Sequence, residues 1–261
     1  MEQPLQHLEQ PTLLIVDDHI EIRDFIADDL SDEYTVLCAE NGFEALEILT
    51  DELVHLVVSD VMMPGMDGYA LCSHIKSDVQ YSHIPVILLT AKNTLQSKIE
   101  GLEQGADAYM EKPFSPEHLR AQINSLLTNR NKIRAYFASS PLAHLKTMAH
   151  SKADEQFLDR LNELVLKHMA DPYFDVEHLA DKLHMSRPTL YRKIKAISDL
   201  TPNDLINVAR LKKAAELLVE GGLKIYEVSD RVGYSSQTHF GRNFQKQFGM
   251  SPSEYIAKHR P

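Results

Sequence analysis

Five polar residues stand at the downstream ends of short apolar runs in the first half of the chain. Asp17 and Asp18 follow TLLIV, Asp60 follows LVVS, Thr90 follows PVILL, and Lys112 follows AYME. If the runs are neighbouring strands, the five side chains meet at one sheet edge, where open α/β sheets bind ligands. Three carboxylates in one cleft repel one another unless a cation lies among them. Oxygen donors with an incomplete shell suit Mg²⁺, which keeps waters and takes phosphate oxygens. A hydroxyl and an ammonium beside it would hold the oxygens of a phosphoryl group. The constellation therefore reads as phosphoryl transfer to an Asp carboxylate. Singly, an acid after a strand is equally a helix cap, a Thr a turn residue and a Lys a solvated charge; joint placement separates the readings.

The elements that must position these groups alternate. Thr12 to Val16, Thr35 to Ala39, Val54 to Ser59, Pro85 to Leu89 and Ala108 to Met110 read as strands. Between and after them lie helical patterns: Ile22, Phe25, Ile26 and Leu30; Phe43, Leu46 and Leu49, facing inward; Tyr69 to Lys76; Ser97 to Gln104; and Leu119, Ile123, Leu126 and Leu127 behind a Ser115-Pro116 helix start. Continuous apolar runs suit strands buried on both faces. Five strands alternating with five helices predict a doubly wound, five-stranded parallel sheet. His19 is expected to open the first helix and is assigned no chemistry.

The net charge of −11 hides a split. Residues 1–128 carry 6 Lys and Arg against 23 Asp and Glu, a balance of −17; residues 129–261 carry 21 against 15, a balance of +6. The acidic half suits a cation and the basic half a polyanion such as DNA. No apolar run is long enough to cross a membrane, and the polar, acidic start MEQPLQHLEQP is not a signal peptide, so a cytoplasmic protein is expected. Cys38 and Cys72 are expected as reduced core residues.

The basic half is helical throughout. Val176 to Leu183, a break at His184-Met185, and a helix opened by Ser186 form one helix–turn–helix. Ile225 to Val232, a turn at Gly233-Tyr234, and Ser236 to Phe244 form a second. Such a pair in a basic segment suggests a DNA reader whose second helices enter the major groove. At 100° per residue, Leu190, Ile194 and Ile197 mark the inner face of one and Phe240 and Phe244 that of the other. Pro188, Thr189, Arg192 and Lys195 then point away in the first unit. Thr238, His239, Arg242 and Gln245 do so in the second, with Gln237 at the flank. Lys193, Lys212 and Lys246 are expected as phosphate contacts or solvated charges. Gly241 costs its helix about 1 kcal/mol relative to Ala, or admits another backbone closely.

The motifs LLIVDDH, VVSDVMMPGMDG, VILLTA and GADAYMEKPF, in that order, resemble the two-component receiver domain, flavodoxin-like in fold. The resemblance implies Asp60 as phosphoacceptor. It implies Asp17, Asp18, Asp60 and the backbone carbonyl of Met62 as Mg²⁺ ligands. Thr90 and Lys112 become phosphoryl contacts, Thr90 and Tyr109 a switch pair, and Lys112–Pro113 a cis bond. It also places Met62 and Lys92 on the approach to the phosphoryl group. AxxLHMSRPTLYRKIKA, TPNDLINVARLKKAAELL and VGYSSQTHFGRNFQKQFGMSPSEY resemble the AraC/XylS-type DNA-binding domain.

The expected organisation is a receiver over 10–128, a linker over 129–154 and an all-α, AraC-type domain with two helix–turn–helix units over 155–261. The expected function is a non-enzymatic transcriptional response regulator. A sensor histidine kinase would phosphorylate it, and it would bind promoter DNA as a homodimer formed through phosphorylated receivers, with no membrane partner. Two alternatives stay open. One is a Mg²⁺-dependent phosphotransfer enzyme with an Asp nucleophile. The other is the C-terminal end of a hybrid two-component sensor, which has the same domain order; Met1 and the polar leader point to a free-standing chain.

Overall fold

The structure is a computed structural model that describes residues 10–91, 104–139, 151–198 and 200–259. The expected helix at Ser97 to Gln104 and the flanking Lys92 lie outside the described residues, Gln104 apart. The chain divides into two compact units, with boundaries near residues 132 and 155.

The first unit is the expected parallel sheet. β1 (Thr12–Val16), β2 (Thr35–Ala39), β3 (Leu56–Asp60), β4 (Val86–Thr90) and β5 (Ala108–Glu111) stand in the order β2-β1-β3-β4-β5. All pairs are parallel. Side chains alternate between faces. Leu14, Val16, Val57 and Leu88 pack with Ala45 and Leu49 of α2 (Gly42–Asp51) and Leu71 and Ile75 of α3 (Gly68–Ser77). Leu13, Ile15, Val58 and Leu89 pack with Ile26 and Leu30 of α1 (Ile20–Leu30) and Leu119 and Ile123 of α4 (Pro116–Ser139). Helices thus cover both faces. α4 continues through Ser139, past residue 128, so the first part of the expected linker is helical.

Several expectations need correction. Phe43 does not face the core; it is 58% exposed, and Phe25, at helical spacing with buried Ile26 and Leu30, is 56% exposed. Phe43 lies in the first turn of α2, where the chain enters from Asn41, and its ring is the nearest neighbour of Gly65 in the loop after β3. Cys38 is exposed on the edge strand β2, while Cys72 is buried and its thiol is pushed up to about 11 by burial.

One buried ion pair ties the amino ends of β4 and β5 to α3. Lys76 Nζ lies 2.6 Å from Asp107 Oδ2 and donates to the Ile84 carbonyl at 2.7 Å. The same Asp107 oxygen accepts from the Val86 amide at 2.8 Å. Burial pushes the Lys76 ammonium below its usual range, against the pull of Asp107.

The second unit is helical: α5 (Lys152–His168), α6 (Val176–Lys182), α7 (Arg187–Ser198), α8 (Pro202–Glu220), α9 (Ile225–Arg231), α10 (Gln237–Phe248) and α11 (Pro252–His259). Caps set the boundaries. Ser186 accepts from the Thr189 amide, Thr201 and Asp204 form a reciprocal box, and Ser236 accepts from the His239 amide. α6–α7 and α9–α10 are the two helix–turn–helix units, joined by α8. His184 (φ 55°) and Gly233 (φ 83°) make their left-handed turns.

Removing one member of a buried ion pair leaves the other charge unmatched. Asp107→Ala should therefore lose about 3–5 kcal/mol of stability in guanidinium unfolding, and adding Lys76→Met should recover part of it.

Candidate functional site

The strand register brings the sequence-chosen residues of the first unit together. Val16 pairs with Ser59, so Asp17 and Asp60 emerge side by side from β1 and β3. Asp60 ends β3 and pairs with Leu89, which places Thr90 one residue further along β4. Asp17, Asp60 and Thr90 are all buried, while Asp18 faces out. Lys112, just past β5, reaches both inner acids: its Nζ lies 2.8 Å from Asp17 Oδ2 and 2.9 Å from Asp60 Oδ1. The Lys112–Pro113 bond is cis.

Charge explains this arrangement. Burial raises the Asp60 carboxyl above its usual range, opposed by the hydrogen bond and charge of Lys112 and reinforced by Asp17. Burial alone would lower Lys112, but its bonds to Asp17 and Asp60 prevail and hold the ammonium above its usual value. Three carboxylates against one ammonium leave about two negative charges, with hard oxygen donors around them. That donor set fits a small divalent cation.

His19, given no chemistry by the sequence, belongs to this cluster. It is the N-cap of α1; its amide donates to Asp17 Oδ1 at 2.9 Å, and its ring Nδ1 is 3.0 Å from Asp18 Oδ1. One ligand atom from each of Asp17, Asp18 and His19 can be chosen so that all lie within 4.8 Å of one another. The signal was in plain view: a third donor directly after two acids, at a strand-to-helix turn that folds it back.

Tyr109 pairs with Leu88 across β4–β5, so it shares a sheet face with Thr90. It is half-buried, and its hydroxyl lies 3.1 Å from that of Tyr69 on α3, a partner the sequence did not single out. Met62, in the loop after β3, is 56% exposed. Beneath that loop α3 begins against the backbone: a Cβ on Gly68 would lie 2.2 Å from the Asp60 carbonyl oxygen and 2.9 Å from Val61 Cα.

In the second unit Pro188, Arg192 and Lys195 are exposed on α7, and Gln237, Thr238, His239, Arg242 and Gln245 on α10. Thr189 is half-buried, its hydroxyl 2.7 Å from that of the capping Ser186. Lys193 is neither solvated nor a phosphate contact. It is 1% exposed, with its ammonium 5.7 Å from the centre of the Phe157 ring of α5. It follows the outward Arg192 by 100°, which turns it toward the side that α5 covers. Tyr191 is exposed next to Arg192 and was not singled out by the sequence. A Cβ on Gly241 would meet open space, so among the described residues no backbone outside its own helix approaches it closely.

Comparison with known proteins agrees with this division. The family described as response regulator receiver domain matches residues 13–124, and a helix-turn-helix domain family matches residues 179–258. The chain is 42% identical over 255 residues to Histidine kinase P4 of Formosa agariphila, covering 98% of this chain and 19% of that protein. It is 48% identical over 116 residues to the probable transcriptional regulator ycf27 of Cyanophora paradoxa, covering 44% of this chain and 47% of that one. The chain therefore spans about a fifth to a half of the length of these relatives. Among solved structures, the BeF3-activated DrrB receiver domain is 34% identical, covering 46% of this chain and 98% of that one, with a TM-score of 0.43.

The two glycines should respond oppositely to alanine in urea unfolding. Gly68→Ala pushes a methyl into fixed backbone and should lose about 1–3 kcal/mol. Gly241→Ala fills open space in a helix interior and should gain about 1 kcal/mol.

Proposed function

This chain joins a receiver of the response regulator family to an AraC-type helix-turn-helix domain, and from that pairing we propose that it is a phosphorylation-controlled transcriptional regulator acting in the cytoplasm. The observation that carries the proposal is Lys112 bridging buried Asp17 and Asp60 at the carboxyl end of the sheet. A carboxylate held this way is desolvated and oriented, with exposed Asp18 and Met62 flanking the strand ends, as suits a phosphoryl acceptor.

In the proposed reaction an Asp60 oxygen attacks the phosphorus of a phosphohistidine on a sensor kinase. The phosphorus–nitrogen bond breaks, and the histidine regains a proton. Mg²⁺, when bound by Asp17, Asp18, Asp60 and the Met62 carbonyl, supplies positive charge to the phosphoryl oxygens. Lys112 exchanges its bond to Asp60 for one to a phosphoryl oxygen, and the Thr90 hydroxyl donates another. Thr90 moves toward the phosphoryl group and Tyr109 turns inward behind it. The protein then shifts toward a DNA-competent form, a homodimer through the receivers.

On the output side, α7 and α10 enter the major groove. Pro188, Thr189, Arg192 and Lys195 face DNA from the first unit, and Gln237, Thr238, His239 and Arg242 from the second. Arg can pair bidentately with guanine and Gln with adenine. A turnover phosphotransfer enzyme is disfavoured because it usually places a second acid where Met62 stands, and it would leave two helix–turn–helix units unexplained. Among the described residues no helix is long and apolar enough to cross a membrane.

With Mg²⁺ and a small phosphodonor, wild-type protein should gain one phosphoryl group by mass and Asp60→Ala none; an equal gain on both contradicts the assignment. Met62 cannot orient an attacking water, so Met62→Asn should shorten the lifetime of that phosphoryl group, followed as loss of the mass shift with time. Binding to DNA should weaken steeply with salt, and Arg242→Ala should relax base preference at one position with a loss of about 1–3 kcal/mol.

A further inference from the structure

α8 stands between the two helix–turn–helix units and carries Asn207 and Arg210 one turn apart, on the same side. Each reaches a different unit. The Tyr234 hydroxyl, in the turn of the second unit, donates to the Asn207 side-chain oxygen. Arg210 reaches the loop that leads from α5 into the first unit. Its Nε donates to the Met169 carbonyl at 2.9 Å, and its Nη2 to the Asp171 carbonyl at 2.7 Å and the Phe174 carbonyl at 3.3 Å.

Those three carbonyls lie in the loop between the end of α5 at His168 and the N-cap of α6 at Asp175, where backbone acceptors lack partners inside a helix. A planar guanidinium with several fixed donors can satisfy all three at once; an ammonium on a flexible stem has no such fork. The same loop touches the second unit directly. A Cβ on Gly233 would lie 2.3 Å from the Met169 carbonyl oxygen and 3.1 Å from Arg210 Nε. Only the bare backbone of a glycine lets the turn of the second unit come this close, and Gly233 already needs its left-handed φ of 83° there. From Gly233 the connection continues through Tyr234, whose ring meets His239 and Phe240 of α10 edge-on.

We propose that Arg210 is a positioning residue that locks the two helix–turn–helix units at one fixed separation, so that they read two DNA boxes as a single rigid body. The inference rests on the reading above that α7 and α10 both meet DNA, and it goes beyond it. Neither Arg210 nor Asn207 touches DNA. They set the spacing between the helices that do. The substrate this selects is a site with two boxes at one permitted separation. Independent units would instead tolerate a range of spacers, each docking in its own groove.

The test uses the full chain and a site selected from random DNA. Affinity is measured for that site, for versions with either box scrambled, and for versions with the spacer changed by one or two base pairs. Wild type should bind the intact site more tightly than either single box by about a hundredfold, the usual gain from linked binding, and a one-base-pair spacer change should remove most of that gain. Arg210→Gln should keep single-box affinity while its spacer penalty flattens. Arg210→Lys, which keeps the charge but not the fork, should flatten it as well. Thermal melting establishes that each variant is folded. A folded Arg210→Gln with the wild-type spacer penalty overturns the proposal. So does a wild type indifferent to spacer length, a result that needs no variant. If wild type selects no DNA, or a single box, the two-unit reading itself fails, and that failure is seen before any substitution is made.

Discussion

The first unit depends on one ammonium shared between two buried carboxylates. Lys112 reaches Asp17 and Asp60 from across the sheet edge, and burial makes each partner need the others. Without Lys112, two acids side by side in a desolvated pocket would repel, and one would take up a proton. With it, Asp60 is held as an oriented anion at the end of a strand buried along its whole length. The parallel sheet exists to make that possible. It delivers Asp17, Asp60, Thr90 and Lys112 from four separate strands to one edge, and Gly68 lets α3 start directly against the Asp60 carbonyl.

The second unit solves a different problem by similar means. Two small helix pairs, each with α7 or α10 presenting a polar face, have too little apolar surface of their own to fix their mutual geometry. α8 supplies it. Its apolar side, including Leu211, Ala214, Ala215 and Leu218, packs with Val228, Val232, Phe240 and Phe244 of the second pair. Its polar residues Asn207 and Arg210 bond the turn of the second pair and the loop leading into the first. Charged and polar contacts orient a carboxylate in one unit and join α8 to both helix pairs in the other.

What was legible in the sequence follows from this. Buried parallel strands read as unbroken apolar runs, so their ends, and the acids there, stand out against the pattern. The inner faces of α7 and α10 were legible for the same reason: Leu190, Ile194, Phe240 and Phe244 repeat at helical spacing and are all buried. Residues whose surroundings come from distant segments were not. Lys193 looks like a solvated charge until Phe157, far back in the chain, covers it. Phe43 looks like core because helical periodicity cannot tell which residues of a short helix the sheet reaches. Arg210 binds only carbonyls, and backbone acceptors leave no trace in side-chain identity. His19 was visible as a third donor, but its ring orientation depends on the turn into α1.

In the proposed function the state of Asp60 controls what α7 and α10 do. This is tested most directly by the affinity of the full chain for a selected DNA site, measured before and after phosphorylation, alongside Asp60→Ala treated in the same way. Tighter binding on phosphorylation of wild type, with no change in Asp60→Ala, is the expected result. Equal affinity of the two wild-type forms, or the same tightening in Asp60→Ala, would contradict it.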